Sequence, residues 1–426
     1  MEKVTLGGEM HVWVSDLFSI NRSLTGDGVR QTLQFLQDLI PEMKINEVAS
    51  GTQAFDWIIP KEWNVAEAYI ADLAGNRIID FNNNNLHLMG YSTPINDIFT
   101  RGQLEAHLYS LEDQPDAIPY VTSYYEENWG FCLTHNQRQN LGDGPFRVMI
   151  DSELTLGSMT YGEIFLPGQT NEEILLSTYI CHPSMANNEL SGPVVAVALA
   201  RWLKSLPIRK FSYRIVFLPE TIGSIYYISQ HLDSLKSRVK AGWVLTCIGD
   251  DGNYSYVPSR QGNTLTDKIS RKVLQSRGFD YREYSFLDRG SDERQYCFPG
   301  VDLPVGSLMR SKYGEYPEYH TSFDNLDLVS PTGLQGGFEV VRDAITVLET
   351  TKYWKINTIC EPQLGKRGLY PNTSSKKSGQ SVHNQMNVIT YLDGLHDVEE
   401  ISEICGIAVR DVEEVIEQLL KANLVD

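Results

Sequence analysis

The sequence predicts an α/β protein built on a doubly wound, mostly parallel sheet. Three observations carry this expectation. Apolar β-type runs alternate with helical patterns beyond Gly168, the helical stretches are long enough to cross over a sheet, and polar, chemistry-bearing residues follow the ends of the apolar runs. The pairs are Ile174–Cys181 with Gly192–Leu206, Phe211–Leu218 with Ser224–Val239, and Gly242–Ile248 with Leu265–Arg277. In such sheets ligands bind beyond the carboxyl ends of the strands. A long helical pattern over Gly333–Lys352 closes the domain.

Earlier in the chain, apolar positions at helical spacing (Val29, Leu33, Leu36) predict a helix over Asp27–Leu39, opened by the turn Thr25-Gly26-Asp27-Gly28. From about Thr52 to Phe165 short β-type runs, punctuated by Asn82 to Asn85, Pro94, Pro119 and Gly142-Asp143-Gly144, predict a separate strand-rich unit. The domain reading is therefore residues 1–51 with 166–355 for the main domain and 52–165 for an inserted β-rich domain. Residues 356–380, rich in Pro, Gly, Ser and Lys, read as a linker, and 381–426 as a winged-helix or helix-turn-helix domain with helices Val398–Cys405 and Val409–Ala422.

Composition narrows the function classes. Among 426 residues, 36 Lys and Arg stand against 55 Asp and Glu, a net charge of −19 that disfavours nucleic acid and anionic membranes as partners. The C-terminal helices sharpen this: from Asp397 to Asp426 two basic residues face nine acidic ones, so a DNA-binding regulator is disfavoured and a protein partner or a homo-oligomer contact is expected. No apolar run reaches the roughly 18–20 residues of a membrane span. Met1 to Gly8 lacks a secretory pattern, and the six cysteines are scattered, so reduced thiols and a cytoplasmic address are expected.

Three polar stretches carry chemistry. His182 follows the first apolar run and precedes the loop Asn187-Asn188-Glu189-Leu190-Ser191-Gly192, a pattern that gathers imidazole and side-chain oxygens in the crevice. Glu220 ends the next run, where partial burial would raise its pKa toward that of a general base. The third stretch holds Arg289-Gly290-Ser291-Asp292-Glu293 and then Glu318-Tyr319-His320-Thr321-Ser322-Phe323-Asp324. Arg22 and Arg30 flank the helix start near Gly26 and are candidates for a substrate carboxylate, although a plain capping turn is the preferred reading there, with Tyr319 and Glu293 as further substrate contacts. Tyr124 to Gly130 is a candidate aromatic lid, although an ordinary core is the preferred reading.

Taken in order, these stretches resemble the zinc aminopeptidase superfamily of bacterial leucyl aminopeptidases, glutamate carboxypeptidases and glutaminyl cyclases. Asn188 to Gly192 resembles its D-N-x-S-G loop, Gly290-Ser291-Asp292 through Gly300-Val301 its SD…F…GIP stretch, and Tyr319-His320-Thr321 with Asp324 its closing histidine motif. Nearly the full chain is similar to a little-characterised group of aminopeptidase-like proteins with an inserted β-rich domain and a C-terminal winged helix. The resemblance implies His182 and His320 as zinc ligands and Glu220 as the general base. It also shows departures: Asn188, Thr221 and Thr246 stand where three of the five ligands would be acidic. Neutral oxygens do not hold two dications together, so one zinc per chain is expected, its third ligand drawn from Asn188, Glu220, Asp292, Glu293 or Asp250. The expected function is single-metal hydrolysis of an amide or peptide bond. The alternative is a non-catalytic scaffold that binds a small ligand in the crevice and a partner through the winged helix.

Overall fold

The computed structural model describes residues 5–278, 280–369 and 376–426. Eight strands form one sheet, ordered Lys44–Ala49, Ser158–Leu166, Ser212–Leu218, Glu173–Tyr179, Val239–Leu245, Val305–Met309, Tyr254–Val257 and Tyr281–Glu283. Glu173–Tyr179 pairs in parallel with both Ser212–Leu218 and Val239–Leu245, and Val239–Leu245 in parallel with Val305–Met309. Every residue of Glu173–Tyr179 is buried, as a strand covered on both faces requires. The chain leaves this strand, returns on one side as Ser212–Leu218 and then on the other as Val239–Leu245. A crevice therefore opens at the carboxyl ends of these three strands.

The intervening helices are those the periodicity predicts, at Ser191–Ser205, Ile222–Arg238 and Leu265–Ser276, with Pro331–Thr350 behind them. Gly192 fixes how the first of these meets the sheet. A Cβ there would lie 2.2 Å from the Leu245 carbonyl oxygen and 2.4 Å from Thr178 Oγ1, so only glycine lets the helix start press onto the strand ends. The helix Asp27–Leu39 buries Val29, Thr32, Leu33 and Leu36. Its preceding Gly26 (φ 96°) sits where a Cβ would meet the Trp63 carbonyl oxygen at 2.3 Å.

Two features correct the domain reading. Ser158–Leu166, assigned by sequence to the inserted unit, pairs antiparallel with both Lys44–Ala49 and Ser212–Leu218 in the large sheet. The inserted residues do form their own antiparallel sheet, ordered Arg77–Asp80, Glu62–Ala71, Phe146–Thr155 and Ile95–Phe99. Its core is not separate. Trp63, Ile70, Val148 and Ile150 belong to the same buried apolar cluster as Leu175, Val216 and Val244 of the large sheet. A helix over Leu6–Phe18, burying Met10, Trp13, Val14 and Leu17, adds an element the sequence reading lacked.

The chain divides into two compact units, Met1–Ile345 and Thr346–Asp426. In the second, helices Lys376–Thr390, Val398–Cys405 and Val409–Lys421 surround Leu364, Val388, Leu392, Ile401, Val412 and Ile416. The expected linker is only partly one. Ile356 bridges to Val425, and Leu364 is fully buried, so this stretch completes the small unit's core; residues 370–375 lie outside the described residues. Asp411, Glu413, Glu414 and Glu417 are all exposed along Val409–Lys421. Among the described residues no helix is long and apolar enough to cross a membrane. All six cysteines are free thiols, and Cys132, Cys181, Cys247 and Cys297 are buried.

Candidate active site

His182 lies three residues beyond Tyr179, buried at the crevice floor. Its Nδ1 meets Glu189 Oε2 at 2.8 Å, and its carbonyl accepts from Arg22 Nε at 3.0 Å. Arg22 in turn lies 3.7 Å from Glu189 Oε1 and donates to the Leu17 carbonyl. With Nδ1 committed, the lone pair of interest is on Nε2, which faces Glu220 Oε2 at 3.7 Å. His320 approaches from the far loop, its ring centroid 5.5 Å from that of His182. Its Nε2 is buried and has no hydrogen-bond partner. Burial, and for His182 also Arg22, pushes both imidazoles down to about 3, so both rings are neutral and free to donate a lone pair.

Glu220 keeps 21% of its side chain exposed, toward a cavity of about 390 Å³ that His182, His320, Tyr120, Tyr124, Trp57 and Arg294 help to line. Burial, then the nearby Asp292 carboxylate, raises the Glu220 carboxyl well above the usual range. Asp292 is raised too, chiefly by burial. Its Oδ1 accepts from the Thr221 amide and Ser224 Oγ, while Oδ2 is buried without a partner. Two carboxyls that resist ionisation together form a natural acid–base pair. Backbone strain gathers here as well: Ser184, Thr221, Cys247 and His320 have φ of 40°, 67°, 47° and 55°.

The fit to a metal ion can be tested on these donors. Two neutral imidazoles with unspent Nε2 atoms and a carboxylate are the donor types zinc takes. Two imidazoles sharing one tetrahedral ion bring their ring centroids to roughly 5 Å, close to the separation seen. The three donors are nevertheless not all within 4.8 Å of one another, a spacing met only by Cys181, His182 and Glu189 among the described residues. That tighter cluster lies on the inner side of His182. Glu189 is engaged by Nδ1 and Arg22, and burial pushes the Cys181 thiol well up, so it holds the histidine rather than an ion.

The three departures from the acidic pattern are absorbed in hydrogen bonds. Asn188 Oδ1 accepts from the Tyr179 hydroxyl. Thr246 Oγ1 bonds the Tyr179 hydroxyl and the Asn188 carbonyl, and Thr221 Oγ1 accepts from Arg294 Nη2. The loop carrying Asn188, a single π turn at Ala186–Leu190, is held by Asp324, which accepts from the amides of Ala186, Asn187 and Asn188. Asp250 is consumed by Asn187 Nδ2, the Gly252 amide and Ser311.

Four sequence-derived substrate contacts sit elsewhere than expected. Arg22 is fully buried behind His182, where it braces the backbone. Glu293 accepts from the Gly290 and Ser291 amides, Tyr313 and Ser307, which leaves it a structural carboxylate. Tyr319 stacks on His320 at 3.9 Å and orients that ring. Arg30 forks onto Glu62 and also meets Glu47 and Asp27. That fork holds the Glu62 carboxyl down at about 2, against an ordinary 4.5. Its contribution is complete above the ordinary value and lost as pH falls through the depressed one. Glu62→Gln should therefore cost about 2 kcal/mol at neutral pH. In thermal melts the gap to wild type should close between pH 4.5 and 2; a constant gap would refute the pairing.

Other site residues were not singled out by sequence. Glu189 was readable as an acid inside the Asn188 loop, but nothing in the pattern marked it as the partner of His182. Tyr120, whose ring lies 5.1 Å from His182 and 5.2 Å from His320, gave no signal. Tyr124 and Tyr125 line the cavity, while Tyr124 and Trp129 also pack against the main apolar cluster as the preferred core reading expects.

The fold is that of the aminopeptidase-like class. A zinc aminopeptidase of Bacillus subtilis superposes with a TM-score of 0.60 at 13% identity, covering 82% of this chain and 96% of that one. At such identity the likeness speaks for the fold alone. The chain belongs to the family described as a domain of unknown function, DUF4910, which matches residues 11–351, and a winged helix-turn-helix model matches residues 352–426. A Clostridium acetobutylicum protein provisionally named for polysaccharide biosynthesis, with an aminopeptidase-like domain, is 47% identical over 365 residues, 85% of this chain and 83% of that protein. A crystal structure from the same organism, provisionally described as a peptidase, has a TM-score of 0.83 at 42% identity and covers 99% of this chain and 96% of its own.

Proposed function

We propose that this protein is a single-zinc hydrolase of an amide bond. The observation that carries the reading is the buried, partnerless Nε2 of His320 beside a His182 whose Nδ1 is already committed, since an orphaned buried ring nitrogen is costly unless something occupies it. His182 and His320 would hold the ion, their rings already at the separation that two imidazoles sharing one ion require. Zinc, when bound, supplies Lewis acidity toward the amide carbonyl and toward water. Glu220 takes the water proton at its cavity-facing carboxylate, and Asp292 shares the load of that proton as the second carboxyl of the pair. Glu189 and Arg22 keep His182 in one tautomer and one orientation. The hydrogen-bonded Asn188, Thr221 and Thr246 favour one ion over two.

The name of the Clostridium relative directs the search for substrate toward N-acyl groups on saccharides, alongside small peptides. A second reading, a ligand-binding scaffold without turnover, draws on those same three neutral residues. In either case the exposed acidic face of Val409–Lys421 suits a protein partner better than nucleic acid. Elemental analysis of the purified full chain tests the proposal. About one zinc per chain is expected from a single catalytic site, falling toward none in both His182→Ala and His320→Ala. Zinc bound equally by all three proteins would overturn it.

A further inference from the structure

A second cavity of about 650 Å³ adjoins the first, and both are lined by Trp57 and Arg294. Its walls are mostly apolar, with Ile225, Ile228, Phe298 and Val301 among them. Arg294 is half-buried between the two. Its Nη2 donates to Thr221 Oγ1, its Nε is buried without a partner, and among the described residues it makes no ion pair. Thr221 is neutral, so that hydrogen bond fixes the direction of the guanidinium without cancelling its charge. Glu220 and Asp292 lie close enough to feel this charge but make no ion pair with it, so the buried Nε is left without the acceptor that an oxygen of a bound ligand would supply.

We infer that Arg294 recognises a carboxylate on the substrate, which is an N-acyl compound with its scissile amide beside Glu220 and an apolar or ring portion in the second cavity. This rests on the hydrolase reading for the position of the amide, but not for the anion contact itself. The planar fork of arginine matches a carboxylate where an ammonium would offer only a point charge. Trp57, common to both cavities, gives the connecting part of the substrate a flat apolar wall.

The test is calorimetric binding to the full chain carrying Glu220→Gln, which blocks turnover, with zinc content measured on the same samples. Two matched pairs serve as probes: N-acetylphenylalanine against its carboxamide, and N-acetylmuramic acid against N-acetylglucosamine. In at least one pair the acid should bind roughly 10–100-fold more tightly than its neutral partner. Adding Arg294→Gln should abolish that preference, and Arg294→Lys should restore part of it, with circular dichroism and zinc content unchanged. Equal or absent binding of acid and neutral probe, or a preference that survives Arg294→Gln, overturns the inference. An Arg294-dependent preference in protein that binds no zinc would leave the anion site standing and remove the hydrolase reading.

Discussion

Glu220→Gln is expected to lower kcat by about 10²–10⁴ on any amide the wild-type protein turns over, while the fold stays intact. The substitution keeps the size of the side chain and removes its ability to take a proton. Glu220 is suited to that task because burial and Asp292 raise its carboxyl above the usual range while its side chain stays 21% exposed to the cavity. Its 3.7 Å separation from His182 Nε2 also suits a ligand, so zinc content decides between the two duties. Retained zinc with lost turnover identifies a base, and zinc lost with turnover identifies a ligand. Undiminished kcat in the variant would remove Glu220 from the chemistry altogether.

The scaffold was legible where side-chain periodicity is set locally. The helix Asp27–Leu39 has the predicted bounds, and Val398–Cys405 does too, because amphipathic spacing and capping turns act within a few residues. Strand alternation from Glu173 onward was equally plain. Ser158–Leu166 was misplaced because its partners, Lys44–Ala49 and Ser212–Leu218, lie far away in sequence, and nothing inside the strand says which sheet it joins. Leu6–Phe18 was missed because Gly7 and Gly8 weaken the helical signal at its start. In the site, His182 and Glu220 were readable as polar residues closing apolar strands. Arg22 was readable as important but not as facing away from the crevice, since only the packing of Leu6–Phe18 against the His182 loop turns it inward.

Glu189→Ala should weaken zinc binding by about 10–100-fold, although Glu189 is not itself one of the proposed ligands. Its carboxylate is the partner of His182 Nδ1 at 2.8 Å and faces Arg22 at 3.7 Å, and neither side chain is exposed. Without it the imidazole loses the contact that fixes its tautomer, and a buried guanidinium loses its counter-charge. The second loss alone should cost roughly 1–3 kcal/mol of stability, since the two groups stand 3.7 Å apart and burial raises the Glu189 carboxyl to about 8. Should that prevent folding, Glu189→Gln separates the two effects. Its amide oxygen still accepts from Nδ1–H and preserves the ring's orientation, while the charge facing Arg22 is gone. The glutamine variant should therefore melt at a lower temperature than wild type yet bind zinc more tightly than the alanine variant when both are titrated against a competing chelator. If zinc affinity is the same in wild type and both variants, His182 does not use Nε2 to hold an ion, and the orientation assigned to it here is wrong.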